Sequence, residues 1–217
     1  MITHQSLIIT EIYASIQGEA AYAGWPCTFI RLTGCPLRCR WCDTAHAFAG
    51  GEEIGLADIL ARVRVLGLPL VELTGGEPLA QAAAPMLMTQ LIGEGYRVLL
   101  ETGGSESLAA VPAAVHIIMD LKCPGSGMAD RNRWENLEHL KRTDEIKFVI
   151  ADRADFDWAV MTMREYHLDE RCDVLLSAAF GILKPADLVN WMLEEKLTAR
   201  LNLQQHKYIW HPRAKGV

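Results

Sequence analysis

Short continuous apolar runs recur along the chain at 27–32, 70–73, 98–100, 116–121, 146–150, 174–176 and 200–203. Runs of this length, bounded by turn residues, read as buried strands. Between several of them, apolar residues repeat at helical spacing. Leu56, Ile59, Leu60 and Val63 form one such face, and Phe156, Ala159, Val160 and Met163 form another. Leu188, Trp191 and Met192 repeat the spacing, with Pro185 placed as a first-turn proline. Strands apolar throughout, alternating with amphipathic helices, predict an α/β fold with a parallel sheet covered by helices. Six or seven such units fall short of the eight that close a barrel. The expectation is a partial, open (β/α) barrel of about six βα units, forming one domain over 1–217. A doubly wound sheet is the alternative, because periodicity cannot separate the two.

Composition narrows the setting. Half of the 217 residues are apolar and 22% are charged, as in an ordinary globular protein. The net charge of −6 argues against a nucleic-acid binder, which would show a basic face. The segment MITHQSLIIT lacks the basic start and apolar run of a signal peptide. No stretch reaches the roughly 18 apolar residues of a membrane span. The expected compartment is therefore cytoplasmic, where thiols stay reduced and clustered cysteines are metal-binding or catalytic rather than disulfide-bonded.

Three of the six cysteines, Cys35, Cys39 and Cys42, are clustered in GCPLRCRWCDT at C-x₃-C-x₂-C spacing. Gly34 and Pro36 make this a loop. Soft thiolates suit an iron–sulfur cluster or zinc. Structural zinc needs four ligands, so His46 or a distant cysteine would have to complete it. Three thiolates are what a [4Fe–4S] cluster needs if one iron stays open to a small molecule. Cys27, Cys123 and Cys172 lie outside the motif and read as small core residues. Two further loops follow predicted strands. TGGEP, residues 74–78, has glycines that admit close backbone approach, and by itself it is equally a strand-to-helix turn. LETGG, residues 100–104, is another strand end. Asp120 and Lys122 end a buried strand with two charges, which either face a ligand or pair with each other.

The cysteine spacing, with Trp41 just before the last cysteine, resembles the radical S-adenosylmethionine (SAM) superfamily, and GGE one βα unit later matches its second motif. EIYASIQGEAAYAG, FIRLTGCPLRCRWCDTAHAF and LNLQQHKYIW resemble, more narrowly, the 7-carboxy-7-deazaguanine synthase family, from about Glu11 to Trp210. The resemblance implies a carbon–nitrogen lyase of queuosine and 7-deazapurine biosynthesis. Such an enzyme contracts the ring of 6-carboxy-5,6,7,8-tetrahydropterin with loss of ammonia, using a [4Fe–4S] cluster, SAM and Mg²⁺. It also implies a homodimer and a flavodoxin or ferredoxin as electron donor.

By motif, Cys35, Cys39 and Cys42 would hold the cluster and Thr44 the Mg²⁺. Trp41, Gly76, Glu77, Asp120, Leu121, Lys122, Ser177, Ala178, Ala179 and Phe180 would contact SAM. Ile16, Gln17, Gly18, Glu19, Arg31, Thr74, Gln204 and His206 would contact the substrate, so the N-terminal segment and the C-terminal tail both belong to the substrate site. The chain departs from the family pattern at Asp120–Lys122, where some members have serine–proline–lysine, and at Ser177–Phe180. It also continues past HKYIW as HPRAKGV, to which no role is assigned. Two rivals share fewer of these features. A glycyl-radical activase would have the cluster and GGE but no use for IQGE or QxHK. A metal-stabilised binding protein would have no use for GGE.

Overall fold

The computed structural model describes residues 5–212 and 214–217. All seven expected strands are present: β2 (Pro26–Leu32), β4 (Leu70–Gly75), β5 (Arg97–Thr102), β6 (His116–Leu121), β7 (Glu145–Ile150), β8 (Asp173–Ala178) and β9 (Arg200–Asn202). Two more precede or interrupt them, β1 (Ser6–Ile16) and β3 (Glu52–Gly55). They make one sheet in the order β3-β1-β2-β4-β5-β6-β7-β8-β9. From β2 to β9 every neighbour is parallel and the order never reverses. A doubly wound sheet must reverse its strand order once, so the fold is the open partial barrel.

The helices are α1 (Leu56–Leu66), α2 (Ala84–Gly93), α3 (Arg153–Tyr166), α4 (Leu168–Arg171), α5 (Pro185–Glu194) and α6 (His206–Ile209). The count of βα units differs in detail from the expectation. There are six parallel steps, but the crossings from β5 to β6 and from β6 to β7 carry only turns and 3₁₀ segments. Residues 103–115 and 122–144 show no helical apolar period, and here that absence had structural meaning. Pro78 opens a single 3₁₀ turn and α2 begins six residues later, so TGGEP is a loop and not a helix start.

β1 escaped notice for a physical reason. Its register against β2 shifts between Ile9 and Glu11. Before the shift Leu7 and Ile9 face the core; after it Ile12 does. A bulge of this kind flips side-chain alternation and erases the period-two signal.

The parallel strands alternate strictly. Ile30, Leu32, Val71, Leu73, Val98, Leu100, Ile117, Met119, Ile146, Phe148, Val174 and Leu176 face the helices and form the main core. The intervening residues face the concave side. There a small apolar floor, including Cys27, Phe29, Leu70, Leu99, Ile118 and Leu175, gives way to buried polar groups such as Glu72, Lys147 and Ser177. The three solitary cysteines, Cys27, Cys123 and Cys172, are buried in these cores.

Candidate active site

A cavity of about 700 Å³ opens on the concave side at the carboxyl ends of the strands. This is where parallel α/β folds place ligands, because the strand-end loops converge there. Of the residues singled out from sequence, all but two line it: Glu77 and Leu121 do not.

The cysteine loop closes one side. Gly34 N donates to Ala47 O at 2.8 Å, and Arg40 N to Ser126 O at 3.1 Å, pinning the loop at both ends. Cys42 N donates to Cys39 O at 3.2 Å. All three cysteines are unpaired and half-buried. Burial pushes the Cys35 and Cys39 thiols up and their fellow thiols add to this, while Lys122 pulls both down. Among the described residues no three His, Cys, Asp or Glu side chains converge on a point as ligands of one metal ion do. Ligands of a cubane stand around a larger body. His46, the conceivable fourth zinc ligand, turns its Nε2 toward Glu11 at 3.5 Å.

The glycines of GGE serve close approach. Gly75 has φ 128°, and a Cβ there would fall 2.3 Å from Leu32 O. A Cβ on Gly76 would fall 2.0 Å from Gly34 O. Glu77 N donates back to Gly34 O at 2.8 Å, so GGE and the cysteine loop are one backbone unit. The Glu77 side chain corrects the expectation. It is fully buried. Its carboxylate accepts from Leu79 N at 3.0 Å, from the Thr102 hydroxyl at 2.9 Å and from Gly103 N at 2.8 Å. Glu77 lies behind the wall and joins the GGE loop to LETGG, while Gly75 and Gly76 form the surface. Leu121 is corrected in the same way. Strand alternation turns it into the main core, between Asp120 and Lys122 on the cavity side. Those two are paired, Lys122 Nζ to Asp120 Oδ2 at 2.9 Å. Asp120 Oδ1 is buried without a hydrogen-bond partner among the described residues.

The opposite wall is a polar network. Glu19 accepts from Lys147 Nζ at 3.0 Å, Asn202 Nδ2 at 3.1 Å and Gln204 Nε2 at 3.0 Å. Burial raises the Glu19 carboxyl, but Lys147 and the Gln204 amide outweigh it and hold it low. Gln17 donates to Glu72 and accepts from Glu19 N at 3.0 Å. Burial first, then the charges of Glu101 and Glu19, push Glu72 well above the carboxylate range. Arg31 lines the cavity with Nε on Glu11 at 2.7 Å and Nη2 on the Tyr13 hydroxyl at 2.8 Å, so two of its donors are engaged within the chain. His206 packs so closely on Gly18 that a Cβ there would fall 2.4 Å from its Nδ1.

The relatives of this arrangement are consistent. Residues 29–123 match the family model of the radical SAM superfamily. The chain is 47% identical to 7-carboxy-7-deazaguanine synthase of Koribacter versatilis, over 96% of this chain and 99% of that one. It is 42% identical to that of Chlorobaculum tepidum over the full length of both. The chain belongs to the 7-carboxy-7-deazaguanine synthase family. The crystal structure of QueE from Escherichia coli has the same fold, with a TM-score of 0.77 at 23% identity over 94% of this chain and 96% of that one. Streptococcus suis SuiB bound to S-adenosylmethionine shares the core fold at a TM-score of 0.51 and 14% identity, over 78% of this chain and 44% of that one.

As a member of this family the chain is an enzyme of the radical SAM class, which uses a [4Fe–4S] cluster and SAM. The residues present fit both groups. Three free thiols stand on one loop, and the glycine backbone of the second loop lies against it without side chains in between. Sequence inspection missed several cavity residues of this synthase-family site: Glu72, Glu101, Lys147, Asp43 and Lys207, with the tail residues Pro212 and 214–217. Glu72, Glu101 and Lys147 carried a usable signal, as charged residues inside otherwise apolar strands. The tail carried none. Among the described residues no helix is long and apolar enough to cross a membrane.

Proposed function

We propose that this enzyme contracts 6-carboxy-5,6,7,8-tetrahydropterin to 7-carboxy-7-deazaguanine with release of ammonia. The observation that carries the reading is one cavity with two unlike walls: a three-thiol loop on one side and a buried array of amides and carboxylates on the other. The first suits cluster and SAM. The second suits a flat heterocycle with a row of donors and acceptors.

When bound, the cluster and SAM supply the radical that removes a substrate hydrogen. The chain's own residues hold and orient. Cys35, Cys39 and Cys42 hold the cluster. Trp41, the Gly75–Gly76 backbone, Asp120, Lys122 and the 177–180 stretch border SAM, with Glu77 acting behind them. Ile16, Gln17, Gly18, Glu19, Thr74, Gln204 and His206 border the pterin, and Arg31 and Lys122 bring positive charge toward its carboxylate. Thr44 caps its short helix without using its hydroxyl, which lies 3.7 Å from Cys42 Sγ, and that oxygen would turn to Mg²⁺ once the thiolate is on the cluster. This ion keeps several waters and takes other ligands from substrate. The finer setting we propose is a cytoplasmic homodimer of single-domain chains fed by a flavodoxin or ferredoxin. The exposed Leu201 on edge strand β9 supports a covered edge.

The test is direct. Reduced, cluster-loaded enzyme given SAM, Mg²⁺ and the tetrahydropterin should release the deazapurine and ammonia. SAM cleavage without product would reject this substrate.

A further inference from the structure

Lys147 has no part in the reading above, yet it occupies the centre of the polar wall. It reaches the cavity from mid-β7, with about a tenth of its side chain exposed. Its ammonium lies 3.0 Å from Glu19 Oε2 and 3.5 Å from Glu101 Oε1. It is the single cation in ion-pair range of Glu19 among the described residues. The other groups facing Glu19 are the amides of Asn202 and Gln204, the His206 ring, and the acids Glu72 and Glu101.

The hydrogen bonds leave a specific remainder. Each carboxylate oxygen offers about two acceptor positions, and so does an amide oxygen. On Glu19, Oε2 is filled by Lys147 and Asn202, while Oε1 takes only Gln204. On Gln17, Oε1 takes only Glu19 N, and its Nε2 gives one of its two N–H donors to Glu72. Two acceptor positions thus remain on residues that line the cavity two positions apart in the chain, one on Glu19 and one on Gln17. Neighbouring acceptors match neighbouring N–H donors, as on the 2-amino, N3–H edge of a pterin. A pyrimidinedione, with a carbonyl in place of the amino group, would turn an acceptor toward one of them.

We propose that Lys147 is a positioning residue that keeps Glu19 an acceptor-only carboxylate, and that it thereby sets the preference of this wall for a 2-amino heterocycle. The proposal rests on the substrate reading given above. Without Lys147, Glu19 would be buried beside two other acids and would take up a proton. A protonated Glu19 carries its own donor, which opposes a substrate N–H and tolerates a carbonyl. Lys147 acts through Glu19 and needs no contact with substrate.

The experiment measures equilibrium binding of 6-carboxypterin, an unreactive oxidised analogue, and of its 2-oxo counterpart to cluster-loaded enzyme with SAM, across about pH 5.5 to 8.5. Wild type should prefer the 2-amino compound and show no acid limb beyond those that Glu72→Gln and His206→Gln remove. In Lys147→Met, 2-amino binding should weaken by roughly tenfold or more. That affinity should fall further as pH falls, and the 2-amino preference should narrow. Lys147→Arg, which keeps the charge, should restore the wild-type profile. Wild-type affinity, preference and pH profile in Lys147→Met would overturn the proposal. Should Lys147→Met fail to load cluster, the wild-type profile decides: a limb above about pH 6 that persists in Glu72→Gln and in His206→Gln, which remove the other titrating groups of this wall, means Glu19 titrates despite Lys147 and refutes the proposal. Selective pterin binding without turnover of the tetrahydropterin would fault the assigned reaction and leave the role of Lys147 standing. No selective binding by wild type would reject both.

Discussion

Glu19 and Glu72 stand in one wall and prefer opposite protonation states. Lys147 and the Gln204 amide hold Glu19 low, whereas Glu72 meets burial and the charges of Glu101 and Glu19. The folded state thus keeps a proton on Glu72 over a pH range in which the unfolded chain has lost it. Where the native state binds more protons, stability falls as pH rises, here from the ordinary carboxylate pKa up to the raised one. Glu72→Gln keeps an acceptor for Gln17 without the proton. It should raise the melting temperature relative to wild type, by a margin that grows with pH through this window. A margin that stays constant from acid to neutral pH would show that Glu72 titrates alike in the folded and unfolded chain. Glu77 gives a second expectation at this scale. Its carboxylate satisfies two backbone N–H groups and the Thr102 hydroxyl in a fully buried position. Glu77→Ala should cost about 1–3 kcal/mol in a denaturant titration, and should weaken SAM binding because the glycine backbone loses its brace. Lost SAM affinity with unchanged stability would instead favour a direct contact.

Between elements, the tail after β9 is tied to both walls. Lys207 Nζ lies 2.6 Å from Asp43 in the cysteine loop and 5.1 Å from the Phe180 ring centre, and Gln204 also donates to Asp43 at 3.2 Å. Gln205 N donates to Gly18 O at 2.9 Å, which sets α6 against the IQGE loop. This segment closes the cavity as a strap between the two motifs. Gly18→Ala puts a methyl into the His206 ring. It should raise the KM for the tetrahydropterin, with SAM cleavage and iron content near wild type, as kinetics and iron assay would read. A variant equally impaired in SAM cleavage would mean that the clash spreads to the cysteine loop. The strap also explains what was legible. QQHKY was recognisable as a motif, but its partners Asp43, Gly18 and Phe180 lie between 27 and 188 residues away, and no local pattern brings them together.

At the scale of the molecule, the sheet divides the labour: helices and core on one face, chemistry on the other. Anaerobic reconstitution should give about four irons per chain, with matching sulfide, since three cysteines of this class hold one [4Fe–4S] cluster. A single bound zinc without sulfide would remove the radical reading. Cys39→Ala should abolish SAM cleavage yet keep the fold, because Cys39 is half-buried in a loop and absent from either apolar core. Retained cleavage would take Cys39 out of the ligand set.

The residue pattern alone determined the seven parallel strands, the three helical faces, the cysteine loop and the motifs that name the family. Those features are local: periodicity, spacing and turn chemistry are written in consecutive residues. Tertiary structure decided the direction of winding, since strand order is a property of pairing and not of any strand. It also moved Glu77 behind the wall, because two donors from LETGG reach it across the sheet, and it turned Leu121 into the core. The polar wall formed by Glu72, Glu101 and Lys147 took the same route. Each looks like an isolated charge in an apolar strand, and becomes a network only when parallel register lays the strands side by side.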